Sequence, residues 1–485
     1  MSTDARSSSA TVGIVSYGAY VPRHRLRRAA ISEVLGTPAA PGTRAVAGYD
    51  EDSTTLAVEA ARVACRRIDV RSLDGVYFAT ATPAYLEKTN ATAIHAALDL
   101  ADEAIAVDMA GALRCAAAVW RAAVDAAAAG RTTLATFGDV RTGMPGGADE
   151  RDGGDAGAAL VFGREAVVVE VLAMSSRTRE FLDRWRLPSD EAPQAWEERF
   201  GEQVYVPLAQ TCVGDVLERT GVRLDQVDHL IVGGAHSRAV RQLPKALGLA
   251  HALVPDLAEQ LGNAGVAHAA LALTDLLDRA APGETIVLVN LADGVDAVLL
   301  RTTEAISSYG AETATHHARS KLGAQLASAD DALPYATFLT WRRQLVREPP
   351  RREEPGRPMA PVANRREGWK FGFVGSRCLD CGTRHLPPQR VCFSCQAVDR
   401  MASQTFADTP GSVSTFTIDR LAFSPSPPVI GAVVDFDGGG RYQCEVTDVH
   451  PDRVGIGTRV EPTFRRLYTA GGIHDYFWKL RPILG

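Results

Sequence analysis

No stretch of the 485-residue sequence approaches about 18 consecutive apolar residues, the length that spans a bilayer core, so no membrane span is expected. Residues 1–10 are polar and serine-rich and lack the basic-then-apolar order of a secretory signal; a disordered tail is expected there. Excess positive charge is missing as well: 52 Lys and Arg stand against 58 Asp and Glu, a net charge of -6. Without a basic footprint, neither nucleic acid nor an acidic membrane surface is expected as a partner. Cysteine is sparse, eight in all, and four of them share one short stretch while the rest are scattered. That usage fits a reducing cytoplasm better than a disulfide framework. What remains is ordinary for a large globular protein, 46% hydrophobic and 23% charged. The length suggests two to four domains.

The gathered cysteines form two Cys-x2-Cys knuckles, Cys378 with Cys381 and Cys392 with Cys395. Zn²⁺ takes four thiolates tetrahedrally, and each knuckle presents two sulfurs from one tight turn. Gly382, Pro387 and Pro388 between them suit a ribbon-like hairpin. Four protein ligands leave no open coordination position, so the expected zinc is structural.

Before the knuckles the chain alternates strands and helices. TVGIVSYGAYVP reads as a buried strand, RLRRAAISEVLG as a helix, and the Asp and Ser residues of YDEDST as N-caps for LAVEAARVACRRI. GVYFATATP, AIAVDMA and TTLATFGDV read as strands, and an alanine-rich helix is expected over about 113–129, ended by Gly130. The second half repeats this grammar. VGDVLERTGVRLDQVDHLIVGGA parallels LAVEAARVACRRIDVRSLDGVYFATA, and NAGVAHAALALTDLLDRAAPGETIVLVNLADG parallels MAGALRCAAAVWRAAVDAAAAGRTTLATFGDV. Two such pairs in the same order argue for an internal duplication of an α/β unit. SKLGAQLASADDALPYATFLTWRRQLVRE reads as helical, and REPPRREEPGRPMAPVANRRE as an extended linker. After the knuckles come SVSTFTI, VIGAVVDF, YQCEVTDV and TRVEPTFRRL, short strands spaced as in a small barrel.

GIVSYGAYVPRHR, the YDEDSTTLAVEAA helix start, Gly-Asn263 and PGETIVLV together make residues 11–303 resemble the thiolase superfamily, nearest to 3-hydroxy-3-methylglutaryl-CoA synthases and ketoacyl synthase III. GWKFGFVGSRCLDCGTRHLPPQRVCFSC and the strands after it resemble the zinc-ribbon/OB-fold family that is fused to, or travels with, thiolase-fold partners. The resemblance implies an α/β thiolase fold of duplicated βαβαβαββ halves, layered α-β-α-β-α. A rubredoxin-like zinc ribbon and a small OB-fold β-barrel follow. The implied division is an N-half over 11–168, a C-half over 169–305, a helical segment and linker over 306–368, the ribbon over 369–400 and the OB-fold over 401–485. It also implies a homodimer through the thiolase half and a CoA or acyl-carrier-protein thioester as partner and substrate.

In the resembling families a cysteine takes the acyl group, a histidine and an asparagine serve the condensation, and the hydroxymethylglutaryl-CoA synthases add a glutamate. A helix N-terminus lowers a thiol's pKa, and buried donors stabilise a thioester oxyanion. This chain departs from that set. Counting from Asp108, the nucleophile position falls on Leu113, or on Gly111 by a gap-free match; the glutamate position falls near Ala81 and the histidine near Gly233. Cys115 is either a relocated nucleophile or a small buried residue of the helix. His236 is either a shifted base or a loop histidine. Asn263 matches its family position, and His268 is expected to pack. The candidate catalytic residues are therefore Cys115, His236 and Asn263.

The resemblance implies an acyltransferase of the thiolase superfamily that forms a C–C bond next to a thioester, here with diverged catalytic residues. Two alternatives stand beside it: a cysteine-independent retro-aldol lyase, with Tyr85, His236, Asp139 or Asp293 as base, and a non-catalytic acyl-CoA-binding subunit. Phe464, Arg465, Arg466, Tyr468 and Phe477 are the residues an OB-fold would use on nucleic acid, a reading the thiolase-like half argues against.

Overall fold

The computed structural model describes residues 11–313, 321–348 and 352–483. The tail expected over 1–10 lies outside them.

Gly13–Tyr20 is apolar on both faces and runs through the middle of a nine-stranded sheet. On one side of it lie Ala156–Gly163, Thr133–Asp139, Gly75–Thr80 and Ile105–Ala110. On the other lie Val169–Thr178, Gly294–Thr302, Thr285–Leu291 and His229–Gly234. The pairing senses repeat across the middle. Gly75–Thr80 runs parallel to Thr133–Asp139, which is antiparallel to Ala156–Gly163. His229–Gly234 runs parallel to Thr285–Leu291, which is antiparallel to Gly294–Thr302. The duplication legible in sequence is thus a duplication of topology. The half-sheets join where Gly13 pairs with Glu170 and Ile14 with Val169. Among the described residues, the C-half matches the edge strand Ile105–Ala110 with a single bridge, Leu230 to Leu253.

Helices fill three layers. Ser53–Ala64 starts in a capping box: the Thr55 N–H donates to Asp52 Oδ1 (3.0 Å) and the Asp52 N–H donates to Thr55 Oγ1 (2.9 Å). It lies so close to the N-half sheet that a Cβ at Gly157 would sit 2.3 Å from the Leu56 carbonyl oxygen. Cys115–Ala128 and His268–Leu277 share the central core with both half-sheets, and Glu198–Thr220 covers the outer face of the C-half.

Three local expectations shift. His24–Arg27 is a strand paired with Thr43–Val46, and the helix begins only at Arg28. The helix expected from Val213 begins instead at Glu198 and runs 23 residues, with Pro207 inside it. The single helix expected after Ser320 is two, Leu322–Ala327 and Tyr335–Trp341. Pro334 disfavours helix before it, and the chain between them pairs instead, the Arg25 N–H donating to the Asp330 carbonyl (2.7 Å).

Beyond the linker, Val374–Cys378 pairs with Arg384–His385 and Met401–Thr405 in a three-stranded ribbon. Gly411–Asp419, Val429–Phe436, Arg441–Val446, Ile473–Pro482 and Arg459–Ala470 close into a barrel. The barrel is fixed to the N-half by buried ion pairs. Arg465, 0% exposed, has Nη1 2.9 Å from Glu51 Oε1 and Nη2 2.8 Å from Asp448 Oδ2. The Glu51 contact is an ion pair without hydrogen-bond alignment, while Nη2 donates to both Asp448 and the Tyr20 hydroxyl. Lys479 Nζ lies 3.0 Å from Asp50 Oδ2, and Arg481 Nη1 2.9 Å from Glu59 Oε2.

Candidate functional site

The parallel strands of the N-half end at Thr80, Ala110 and Asp139, those of the C-half at Gly234 and Leu291, and the residues after these ends meet in one cleft. In open α/β sheets ligands bind outside such carboxyl ends. The residues that follow, Ala81, Thr82, Gly111, Ala112, Leu113, Arg141, Thr142, Ala235, Ala292 and Asp293, line a cleft of about 270 Å³. Its remaining wall comes from Asp183, Arg184, Trp185, Arg186, Pro193 and Tyr205. Ala81, Thr82, Gly111, Thr142 and Arg186 also line a wider outer cleft of about 660 Å³, so the two are continuous.

The residues expected from sequence divide sharply around this cleft. Both positions that fall where the family nucleophile sits, Gly111 and Leu113, line it; Cys115 does not. Cys115 is the first residue of its helix and packs half-buried against the central core. Burial first, and the Asp139 carboxylate second, push its thiol far up, the opposite of an activated nucleophile. Ala81 lines the cleft without a carboxylate. Gly233 has no room for a histidine, since a Cβ there would stand 2.9 Å from Ala269 Cβ.

His236 caps the helix Ser237–Ala246, its Nδ1 accepting from the Ala239 N–H (3.1 Å). That assigns the proton to Nε2, which lies 4.0 Å from Asp183 Oδ1. The ring also meets Tyr205 edge-on at 5.6 Å. It is 6% exposed and sits behind two cleft residues, Asp183 and Tyr205. The Tyr205 hydroxyl donates to Asp183 Oδ2 (3.0 Å), and burial pushes the phenol far up.

Asn263 is committed at both ends of its amide. Nδ2 donates to the Gly234 carbonyl (2.7 Å) and Oδ1 accepts from the Gly265 N–H (2.9 Å). His268 is 5% exposed, and its Nε2 lies 3.2 Å from Asp256 Oδ1. Asp139 is buried and saturated: Oδ1 accepts from the Ala81 N–H and the Thr80 and Thr82 hydroxyls, and Oδ2 from the Val266 N–H. It holds the two halves in register beneath the cleft. Asp293 lines the cleft with its carboxyl raised by burial.

The outer cleft is shared with the barrel. Its wall carries Arg186, Arg342, Arg343, Arg466 and His474. Tyr85 does not line it but backs His474, its hydroxyl accepting from the His474 N–H (2.6 Å) with the rings 4.5 Å apart. The barrel residues expected to face nucleic acid are used otherwise. Phe464 and Arg465 are buried against the N-half, Arg466 Nη1 lies 3.3 Å from Asp52 Oδ2, and Phe477 packs on Trp369 and Phe373.

In the ribbon, the sulfurs of Cys378, Cys381, Cys392 and Cys395 lie within 4.8 Å of one another. Cys378 to Cys395 is 3.6 Å and Cys381 to Cys392 is 3.5 Å, far beyond a disulfide. The edge of a tetrahedron with zinc–sulfur bonds of about 2.3 Å is close to 3.8 Å, so the four thiols fit the metal. The knuckles are built alike. The Gly382 N–H donates to the Cys378 carbonyl and the Gln396 N–H to that of Cys392, with Gly382 and Gln396 both at positive φ.

Arg141, Asp183, Arg186 and Tyr205 escaped the reading from sequence. Arg141 carried a usable signal, since a charged residue just past a strand's carboxyl end faces the ligand side. The wall over 183–205 carried none, being irregular chain before a helix whose start Pro207 obscured.

Comparison with known proteins agrees with this architecture. Residues 217–302 match the 3-oxoacyl-[acyl-carrier-protein] synthase III C-terminal family. Residues 372–400 match the ChsH2 rubredoxin-like zinc ribbon domain, and residues 404–465 the ChsH2 C-terminal OB-fold domain. The hydroxymethylglutaryl-CoA synthase of Archaeoglobus fulgidus is 30% identical over 316 residues, which cover 62% of this chain and 92% of that protein. Among solved structures, MvaS in complex with 3-hydroxy-3-methylglutaryl coenzyme A shares the fold (TM-score 0.61, 18% identity, 71% of this chain and 94% of that one). So does the HMG synthase of the curacin biosynthetic pathway in complex with acetyl donor-ACP (TM-score 0.59, 17% identity, 68% and 88%). Duplicated sheet, carboxyl-end cleft and matching relatives agree: the chain belongs to the hydroxymethylglutaryl-CoA synthase family of the thiolase superfamily, extended by a ChsH2-type zinc ribbon and OB-fold.

Proposed function

We propose that the chain binds a CoA or acyl-carrier-protein thioester in the two-part cleft and makes or breaks a carbon–carbon bond beside the thioester carbonyl without forming an acyl-cysteine. One observation carries the reading: Gly111 and Leu113, the two positions that fall where the family keeps its nucleophile, both stand in the cleft wall without a thiol, and Cys115 packs half-buried against the core. The arginines of the outer cleft suit phosphate oxygens. The inner cleft then receives the acyl end. Asp183 is the proton acceptor this geometry favours, held by the Tyr205 hydroxyl at 3.0 Å and open to the cleft.

In the cleaving direction Asp183 takes the proton of a β-hydroxyl as the Cα–Cβ bond breaks. The bonding pair moves into the thioester enolate, a carbonyl product leaves, and the enolate is protonated at Cα. The forming direction is the reverse. Zinc in the ribbon would hold two knuckles together and supply no step. The free outer edge of Ile105–Ala110, with no partner strand among the described residues, supports pairing of two copies there. No helix among the described residues is long and apolar enough to cross a membrane.

Acyl transfer through Cys115 is the second reading, favoured by the family relationship. The two separate cleanly. Incubation with radiolabelled acetyl-CoA should leave no covalent label, and Cys115→Ala should keep thioester binding and turnover. A stable adduct on Cys115, lost in the variant, would restore acyl transfer. Binding with no turnover of any β-hydroxyacyl or acyl thioester would leave a carrier subunit.

A further inference from the structure

Arg141 lies two residues past the strand Thr133–Asp139, lines the inner cleft and is 7% exposed. Among the described residues its guanidinium makes no hydrogen bond and no ion pair within 4 Å, and its Nε is buried without an acceptor. The carboxylates around it are engaged elsewhere. Asp139 is filled by two backbone N–H groups and two threonine hydroxyls, Asp155 is held by Arg44 and Arg342, and Asp149 is paired with Arg184. The stem of Arg141 runs along the turn after Asn263, since a Cβ at Gly265 would stand 3.0 Å from Arg141 Cδ. The Asn263 amide in that turn is committed to Gly234 and Gly265.

The reaction proposed above passes through a thioester enolate, whose oxygen carries a negative charge. A fixed donor aimed at that oxygen lowers the barrier, because its interaction strengthens as the charge develops. Other polar groups of the inner cleft are spent or of the wrong sign. Arg184 is paired, Arg186 donates to the Ala81 carbonyl (3.0 Å), the Tyr205 hydroxyl donates to Asp183, and Asp183 and Asp293 are acids. We infer that Arg141 is a catalytic residue whose guanidinium donates to the thioester oxygen as the enolate forms. No proton leaves the guanidinium. The electron pair of the broken C–C bond rests on the enolate and then enters the new Cα–H bond. This rests on the carbon–carbon reading above and fills a role that it leaves open. The same cation would also suit a phosphate of the ligand, and the experiment separates the two.

Acetyl-CoA has no charge on its acyl group and forms the same kind of enolate by losing a Cα proton. Exchange of its Cα hydrogens in deuterium oxide is read by mass spectrometry, beside binding by calorimetry. Full-length wild type is expected to bind acetyl-CoA and to exchange it faster than a protein-free control. Arg141→Met should slow exchange at saturation by about 100- to 1,000-fold, as for one lost oxyanion donor. Its dissociation constant should stay within about threefold, because the contact is made only as charge develops. Arg141→Lys should recover part of the exchange, keeping the charge without the planar fork. The Met variant loses a buried charge that has no partner, so its urea midpoint should be no lower than that of wild type; a midpoint well below it would make Arg141 structural and overturn the inference. Unchanged exchange in the Met variant overturns it as well. So does weaker binding with unchanged exchange at saturation, which would assign Arg141 to a phosphate. Binding without exchange in the wild type also overturns it, for no enolate then forms. Absence of binding would overturn the acyl-thioester reading and the inference with it, a result distinct from exchange lost in the variant alone.

Discussion

Replacing Arg465 by methionine removes the cation at the centre of the contact between barrel and N-half. Three carboxylates face it, Asp50, Glu51 and Asp448, with side chains 2%, 1% and 3% exposed. Their losses differ. Asp50 keeps Lys479 at 3.0 Å. Glu51 is already raised to about 7, chiefly by burial, and near neutral pH it takes up a proton at little cost. Asp448 loses the 2.8 Å pair that holds its carboxylate. The expected cost is therefore that of one broken buried pair, about 3–5 kcal/mol, and not three times that. Urea unfolding followed by tryptophan fluorescence reads it, because Trp369 and Trp478 sit in the ribbon–barrel module. With a slope of about 2–3 kcal/mol per molar urea, the first transition should fall by about 1–2 M. Arg465→Met with Glu51→Gln should recover part of that loss, since one buried acid is gone. A midpoint within about 0.3 M of wild type would refute the reasoning, for the network would then contribute nothing to docking.

Glu51 gives a pH prediction of definite sign. Its folded value, about 7, lies above its ordinary 4.5, so its contribution to stability is complete below about 4.5 and is lost as pH rises through about 7. Glu51→Gln should flatten that fall, seen as melting temperatures that differ less between about pH 5 and about pH 8 than those of the wild type. In the ribbon, one zinc per chain is expected by elemental analysis. Cys392→Ser should lose it, together with amide-exchange protection across 374–405, because the metal would tie two buried thiols, Cys378 and Cys392, to two exposed ones, Cys381 and Cys395. Leu113→Cys puts a thiol on the cleft wall, and intact mass after incubation with acetyl-CoA should show an acetyl adduct absent from wild type. Gly233→His, which restores the family histidine in sequence, should destabilise by about 1–3 kcal/mol in urea titration, because Ala269 fills the space.

The fold was legible because its signals are local. Small residues and apolar runs set the strands, Asp52 and Thr55 cap a helix three residues apart, and the repeat of that grammar announced two halves. The knuckles were legible for the same reason, since a Cys-x2-Cys turn carries its geometry within four residues. The site was only half legible, and the divide is physical. Strand ends are local and were legible, whereas the meeting of the residues after Thr80, Ala110, Asp139, Gly234 and Leu291 on one rim depends on how the two halves pack. Whether a side chain on that rim is spent or free is not local. Asn263 matches its family position, yet its amide is consumed by Gly234 and Gly265. His236 stands near the expected base, yet it caps its own helix.

Arg465 and Arg141 show what such bookkeeping decides. Both are nearly buried arginines, and nothing in the neighbouring residues distinguishes them. Arg465 meets carboxylates from two separate parts of the chain, more than 400 residues from Glu51 in one case, and so fixes the barrel. Arg141 meets none, because Asp139, Asp149 and Asp155 are each satisfied by other donors. A buried cation whose partners lie within the protein is structural. One whose partners are all taken, on the wall of a cleft, leaves its counter-charge to a ligand. The barrel, held by the first kind, brings Arg466 and His474 to the outer cleft, where the thioester's phosphates would pass on the way to the second.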